Sequence, residues 1–169
     1  AIALRSPVLT PEEMAWVRKA AELDKVGHRN FESAEINATF ARVRGAAGLG
    51  EALADMSEKV LAAIRGGCTI VVLSDRLTKP NRPPIPSLLA LRAAVNVLDA
   101  WGHRLDASIV VDTADARTTH HVAALVGFGA SAVCPYGAFD VVRDLDDKRL
   151  AEVDARRRTE NLRVALEEG

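Results

Sequence analysis

The sequence predicts an α/β fold, a four-stranded parallel β/α layer flanked by N- and C-terminal helices. Three observations carry that expectation. Cys68 to Leu73 is an unbroken apolar run, bounded by Gly67 and Ser74 and too short for a helix, as expected of a strand buried on both faces. Similar short runs recur at Ile109–Val111 and Ser131–Cys134. The stretches between them place apolar residues at helical spacing, and strands alternating with helices need crossover connections and hence parallel pairing.

In chain order, Thr10-Pro11-Glu12-Glu13 is a capping box with proline at the first helical position, opening a helix through Trp16 and Val17 to about Leu23. Ala34, Ile36, Ala38 and Phe40 alternate with Glu35, Asn37, Thr39 and Ala41, which predicts a half-buried strand. Leu49, Leu53, Met56, Val60 and Ile64 form the stripe of a second helix, stopped by Gly66-Gly67. After the Cys68–Leu73 strand comes a loop stiffened by Pro80, Pro83, Pro84 and Pro86, four of the seven prolines. Ser87 is placed to cap the next helix, whose apolar positions Leu88, Leu91, Val95 and Leu98 end near Gly102. The strand Ile109–Val111, a helix Ala116–Val126, the strand Ser131–Cys134 and a charged helix from about Asp146 to Glu168 complete the series. The organisation read from this is an N-terminal helical segment (1–30), a central β/α domain (31–145) and a C-terminal linker helix (146–169). Four strands do not close a barrel, so the layer is comparable with half of an eight-fold (β/α) barrel.

The chain has 169 residues, enough for one domain with a real core. Apolar residues make up 49% and charged residues 27%, with no apolar run long enough to span a bilayer and no leader pattern at the N-terminus. A cytoplasmic globular protein is expected. The net charge of −1 and 4% aromatic content offer neither the electrostatic footprint nor the stacking surface of a nucleic-acid binder. Cys68 and Cys134 each sit in an apolar run and read as buried free thiols, and no Cys, His or carboxylate cluster has the spacing of a zinc or iron–sulfur site.

In parallel α/β folds chemistry gathers at the carboxyl ends of the strands. Ser74, Asp75, Arg76, Asp112, Thr113, Arg117, Pro135 and Tyr136 fall on that rim. Two readings stand: a polar site built from Asp75, Arg76, Asp112 and Arg117, serving a stand-alone enzyme or ligand-binding domain, or carboxylates that pair with the arginines and hold the proline-rich loops. His120-His121 fits a metal poorly, since consecutive helical residues point about 100° apart; His121 reads as a boundary residue that hydrogen-bonds one ring nitrogen. Ser74 and Ser131 lie in no nucleophile elbow, and Cys134 has no identified base. Gly127-Phe128-Gly129-Ala130 leads from helix to strand, the reverse of a dinucleotide fingerprint, so no catalytic, cofactor or metal residue is assigned.

Taken in order, Leu73-Ser74-Asp75-Arg76, Pro84-Ile85-Pro86-Ser87-Leu88-Leu89-Ala90, His120-His121 and Gly127-Phe128-Gly129-Ala130-Ser131-Ala132-Val133-Cys134-Pro135-Tyr136 resemble the central domain of glutamate synthases. Ser6-Pro7-Val8-Leu9, the Ala34–Phe40 strand and the segment from Glu160 to Gly169 are also similar, so the likeness covers nearly the whole chain. Two departures stand out. Thr113-Ala114-Asp115-Ala116-Arg117 keeps the arginine of a T-G-E-A-R-like turn but not its glycine or glutamate, and Asn96 stands where a histidine is common. The resemblance implies a non-catalytic module of an enzyme that moves the amide nitrogen of glutamine onto 2-oxoglutarate, giving glutamate. It would lie between a glutaminase domain and an FMN-binding barrel and help enclose the ammonia path. FMN and an iron–sulfur cluster would belong to other domains, which would be the partners of this chain, and the electron donor, ferredoxin or a nicotinamide, stays open. With Ala1 opening mid-pattern and Gly169 ending at a junction, the resemblance implies a segment of a longer protein. A layer taken from between larger domains is also expected to expose apolar surface and to self-associate, through a sheet edge or the helices around Trp16 and Leu162.

Overall fold

The computed structural model describes residues 4–19, 32–145 and 153–168. Its centre is a four-stranded parallel sheet in the order β1-β2-β3-β4, formed by β1 (Ser33–Asn37), β2 (Ile70–Ser74), β3 (Ser108–Asp112) and β4 (Ala132–Cys134). Among the described residues six helices flank it: α1 (Pro11–Arg18), then α2 (Gly45–Arg65), α3 (Ser87–Ala100), α4 (Thr119–Gly127), α5 (Tyr136–Arg143) and α6 (Ala155–Glu168). No helix among the described residues is long and apolar enough to cross a membrane.

Because sequential strands are spatial neighbours, crossovers of one hand put their helices on one face, as in a barrel and unlike a doubly wound sheet. Strand side chains sort accordingly. Ile36, Val71, Leu73, Ile109, Val111 and Val133 point to the outer face, where Met56 and Val60 of α2, Leu91 and Val95 of α3, Val122 and Leu125 of α4, Phe139 of α5 and Leu166 of α6 bury them. Ile70, Val72, Val110, Ala132 and Cys134 point to the inner face, where, among the described residues, Leu9, Met14, Val17 and Tyr136 are the apolar groups packed with them. The inner face is thus covered by α1, and small residues on β4 leave room for it.

The outer edge of β4 is taken by the N-terminal segment. Leu9 donates its amide to the Val133 carbonyl (2.8 Å) and Val133 donates to Pro7 (2.7 Å), so Pro7–Leu9 runs alongside β4. The next residue, Thr10, caps α1 with the reciprocal Thr10–Glu13 bonds of a capping box. The expected continuation of this helix to Leu23 lies outside the described residues, as does the start of the C-terminal helix at 146–152. Trp16 is 67% exposed, whereas Leu162 packs against the outer core.

Several expectations need correction. β1 ends at Asn37: the Ala38 amide still donates to Ser74 of β2, but the Ala38 carbonyl accepts from Ile85 and Phe40 donates to Pro83, so the chain passes from the sheet to the proline loop. Ser87 does not cap α3; Pro86 occupies the cap position and the Ser87 hydroxyl donates to Asp115. α4 starts at Thr119, with Thr118 as its cap. α5 is a helix that the sequence reading did not include. Its Pro135 and Gly137 resemble a loop, yet Pro135 is the N-cap and Gly137 lets the first turn close on Ala114, where a Cβ would come within 2.8 Å.

The N-terminal end of the sheet is built by repetition. α2, α3 and α4 each finish on a glycine with positive φ, Gly67 (101°), Gly102 (72°) and Gly129 (116°). In each case the following amide reaches five residues back, Cys68 to Ala63, His103 to Leu98 and Ala130 to Leu125. This is the Schellman closure; the next strand follows directly after Gly67 and Gly129, and after Gly102 a short 3₁₀ turn (Arg104–Asp106) intervenes before β3.

Candidate functional site

The last register of the ladder aligns Asn37, Ser74, Asp112 and Cys134 across the four strands, all on the inner face. Asp112 is wholly buried in this row. Its Oδ2 accepts from Arg18 Nη2 (2.5 Å), Arg76 Nε (2.7 Å) and Ser74 Oγ (3.0 Å), and its Oδ1 accepts from Arg76 Nη2 (3.1 Å). Arg18 also donates from Nε to Glu35 at 2.6 Å. A buried carboxylate is costly unless paired, and two guanidiniums with a hydroxyl supply the pairing. Burial alone would pull Arg18 and Arg76 down, but hydrogen bonds and the charges of Asp112, with Glu35 for Arg18, outweigh it and hold both above their ordinary values. Burial, followed by the charge of and a hydrogen bond to Asp112, pushes the Cys134 thiol well up, so it stays protonated.

One residue beyond the row, Asp75 organises a second group. Its carboxylate accepts from Thr113 Oγ1 (2.6 Å), the Ala114 amide (3.1 Å) and Tyr136 Oη (2.5 Å). The Arg76 guanidinium lies over the Tyr136 ring, 3.9 Å from its centre, which joins the two groups by a cation–π contact. Burial, then the bond to Asp75 and its charge, holds the Tyr136 phenol above its ordinary value.

The rim residues read from sequence therefore divide. Ser74, Asp75, Arg76, Asp112, Thr113 and Tyr136 come together. Arg117 does not join them: its side chain is exposed, and its backbone amide donates to Nδ1 of His121. His121 is exposed at the start of α4, and the His120 and His121 rings are 6.4 Å apart and tilted. Arg18 and Glu35 were missed. Arg18 stands 94 residues before Asp112, and in the sequence it is simply the basic last turn of an amphipathic helix. Inside the rim, a cavity of about 10 Å³ lies among Asp75, Ser87, Asp112, Thr113 and apolar neighbours, room for about one water.

Three likenesses to known proteins accord with this architecture. The family model of the glutamate synthase central domain matches residues 1–169. The chain is 35% identical over 182 residues to ferredoxin-dependent glutamate synthase 2 of Synechocystis sp., covering 99% of this chain and 11% of that protein. It is 34% identical over 150 residues to the NADPH glutamate synthase large chain of Bacillus subtilis, covering 88% of this chain and 9% of that one. The chain thus spans about a tenth of the length of these relatives. Among solved structures, a flavocytochrome b2 variant with benzoylformate superposes with a TM-score of 0.54 at 15% identity, covering 87% of this chain and 32% of that one, a likeness of fold alone. By the match along its full length and by these relatives, the chain belongs to the glutamate synthase central domain family.

Proposed function

We propose that this chain is a non-catalytic scaffold module of a glutamate synthase-type enzyme, which links the glutaminase and FMN-binding domains of the intact protein and helps wall the path that ammonia takes between them. The observation that carries this reading is the closure of the rim upon itself. At the strand ends, where (β/α) enzymes hold their substrates, both buried carboxylates are paired with groups of the same chain, and the small pocket among them admits about one water. Such a rim gives stiffness and exclusion of water, which suit a wall more than a catalyst. The same closure weighs against a flavin here, since the first turn of α5 packs directly on Ala114. An enzyme built on Asp75, Arg76, Asp112 and Arg117 would need at least one of these groups free toward a substrate, and the one standing apart, Arg117, is exposed and bonded through its backbone to His121, outside the buried network.

Two measurements test the reading. Titration of the 169-residue chain with FMN, followed by fluorescence and calorimetry, is expected to show no saturable binding. Stoichiometric micromolar binding would overturn the scaffold role. In an intact enzyme carrying this chain, Asp112→Asn is expected to raise the glutamine hydrolysed per glutamate formed, because a loosened wall leaks ammonia. An unchanged ratio in a folded, flavin-replete variant would remove the channel part of the proposal.

A further inference from the structure

The two ends of α1 are held by different means. At its N-terminal end the backbone of Pro7–Leu9 is paired with β4 and Thr10 caps the helix, so the chain there is part of the sheet. Along its length only Met14 is fully buried, with Val17 half-buried. Eight residues are too few to be stably helical alone, so the helix depends on what it touches. At its C-terminal end the attachment is polar. Arg18 donates to Glu35 and Asp112, and the Ser33 hydroxyl donates to the Arg18 carbonyl at 3.2 Å. Asp112 is shared: the carboxylate that takes Arg18 also takes Arg76, which lies on Tyr136. Cys134, wholly buried and aligned with Asp112 in the last register, shares the inner apolar cluster with Met14 and Val17 of α1 and with Leu9 and Tyr136.

We propose that α1 is a latched strap. It swings as a unit about Leu9–Thr10, with the Arg18–Asp112 ion pair as its catch, and uncovers the inner face of the sheet while the outer core stays folded. The shared carboxylate makes this a coupling device: when the catch opens, Asp112 keeps only Arg76 and Ser74, so the seating of the N-terminal helix is transmitted to the rim loops. The outer core, where helices α2 to α6 interlock on the aliphatic side chains of all four strands, shows no comparable single release point among the described residues.

Cys134 reports the motion. In a Cys68→Ser background it is the sole thiol, and a soluble disulfide reagent can reach it only when the inner face is uncovered. Labelling is expected to be faster than the fraction unfolded by circular dichroism allows, with a shallow dependence on denaturant. Arg18→Met, which keeps the aliphatic stem but removes the catch, should speed labelling by roughly ten- to a hundredfold, as loss of hydrogen bonds to a buried charge implies. Arg18→Lys should restore part of the protection. The proposal is overturned if Cys134 reacts only at the rate set by global unfolding, with the full denaturant slope, in both the parent and Arg18→Met. Should Arg18→Met fail to fold, the denaturant slope of the parent decides alone: shallow supports the strap, steep refutes it.

Discussion

The two ends of the sheet solve the same problem, joining helices to strands, by opposite means. At the N-terminal end one local rule is used three times, with helix, glycine at positive φ and strand following within a few residues. At the C-terminal end the two buried carboxylates take their side-chain partners from far along the chain. Asp112 draws on Ser74, Arg76 and Arg18, which are 38, 36 and 94 residues away, and Asp75 on Thr113 and Tyr136. The first end is therefore modular, and a fault in one turn stays in that turn. The second is a network in which one carboxylate serves several elements, so loss of one atom pair is felt by all.

That contrast is tested most severely at Asp112. Asp112→Ala leaves two partly buried guanidiniums and the Ser74 hydroxyl without their acceptor, and should destabilise the chain by about 3–5 kcal/mol. For a protein of this size each kcal/mol lowers Tm by about 2–4 °C, so thermal melts resolve it readily. Asp75→Ala should follow at about 1–3 kcal/mol, because Thr113, Ala114 and Tyr136 lose their acceptor but no cation is stranded. Equal melting temperatures for parent and Asp112→Ala would mean that the network is decoration, and the comparison would collapse.

Glycine substitutions probe the other side of the contrast. Gly129→Ala forces an L-residue to φ 116° with its Cβ 3.0 Å from Val95, a local strain of about 1–2 kcal/mol. Melts and amide exchange should show that the cost stays near the α4–β4 turn, leaving protection around Asp112 unchanged. Gly137→Ala, at the network end, drives a Cβ to 2.8 Å from Ala114 and should cost about 1–3 kcal/mol while loosening Tyr136 and Asp75 as well. If Gly129→Ala disturbed the rim as much as Gly137→Ala, the modular picture of the N-terminal end would be wrong.

The same distinction explains what the sequence could reveal. Helix stops at Gly67, Gly102 and Gly129 are legible because their cause lies within five residues. The apolar run at Cys68–Leu73 marks β2, which begins two positions later at Ile70 because the Cys68 amide is spent on closing α2. The Ala34–Phe40 alternation overruns β1, since period two persists where the Ala38 carbonyl and the Phe40 amide pair with the proline loop. The members of the site that lie beside their strands, Ser74, Asp75, Arg76, Asp112 and Tyr136, could be named from position alone. Arg18 and Glu35 could not, because their role depends on α1 crossing the inner face, and that crossing depends on a strand order which no local pattern encodes.

The smallest effect belongs to Tyr136, at the margin of the network. Tyr136→Phe removes one donor from Asp75, which keeps Thr113 and the Ala114 amide, and it preserves the ring under Arg76, so the loss should be about 1 kcal/mol or less. Its pH dependence is more telling than its size. Burial, then the hydrogen bond to Asp75 and that carboxylate's charge, raises the folded-state phenol above its ordinary value of 10.0. A group raised on folding contributes stability that is fully present below the unfolded value and lost as pH climbs through the folded one. The difference in Tm between parent and Tyr136→Phe should therefore be flat up to about pH 10 and shrink above it. Because Tyr136 is the only tyrosine in the chain, its phenolate absorbance reports the ionisation directly. In the folded parent the absorbance should rise later than in the denatured chain. A titration coinciding with that of the denatured chain would place Tyr136 outside the network and confine the long-range coupling of the rim to Asp112 and its two arginines.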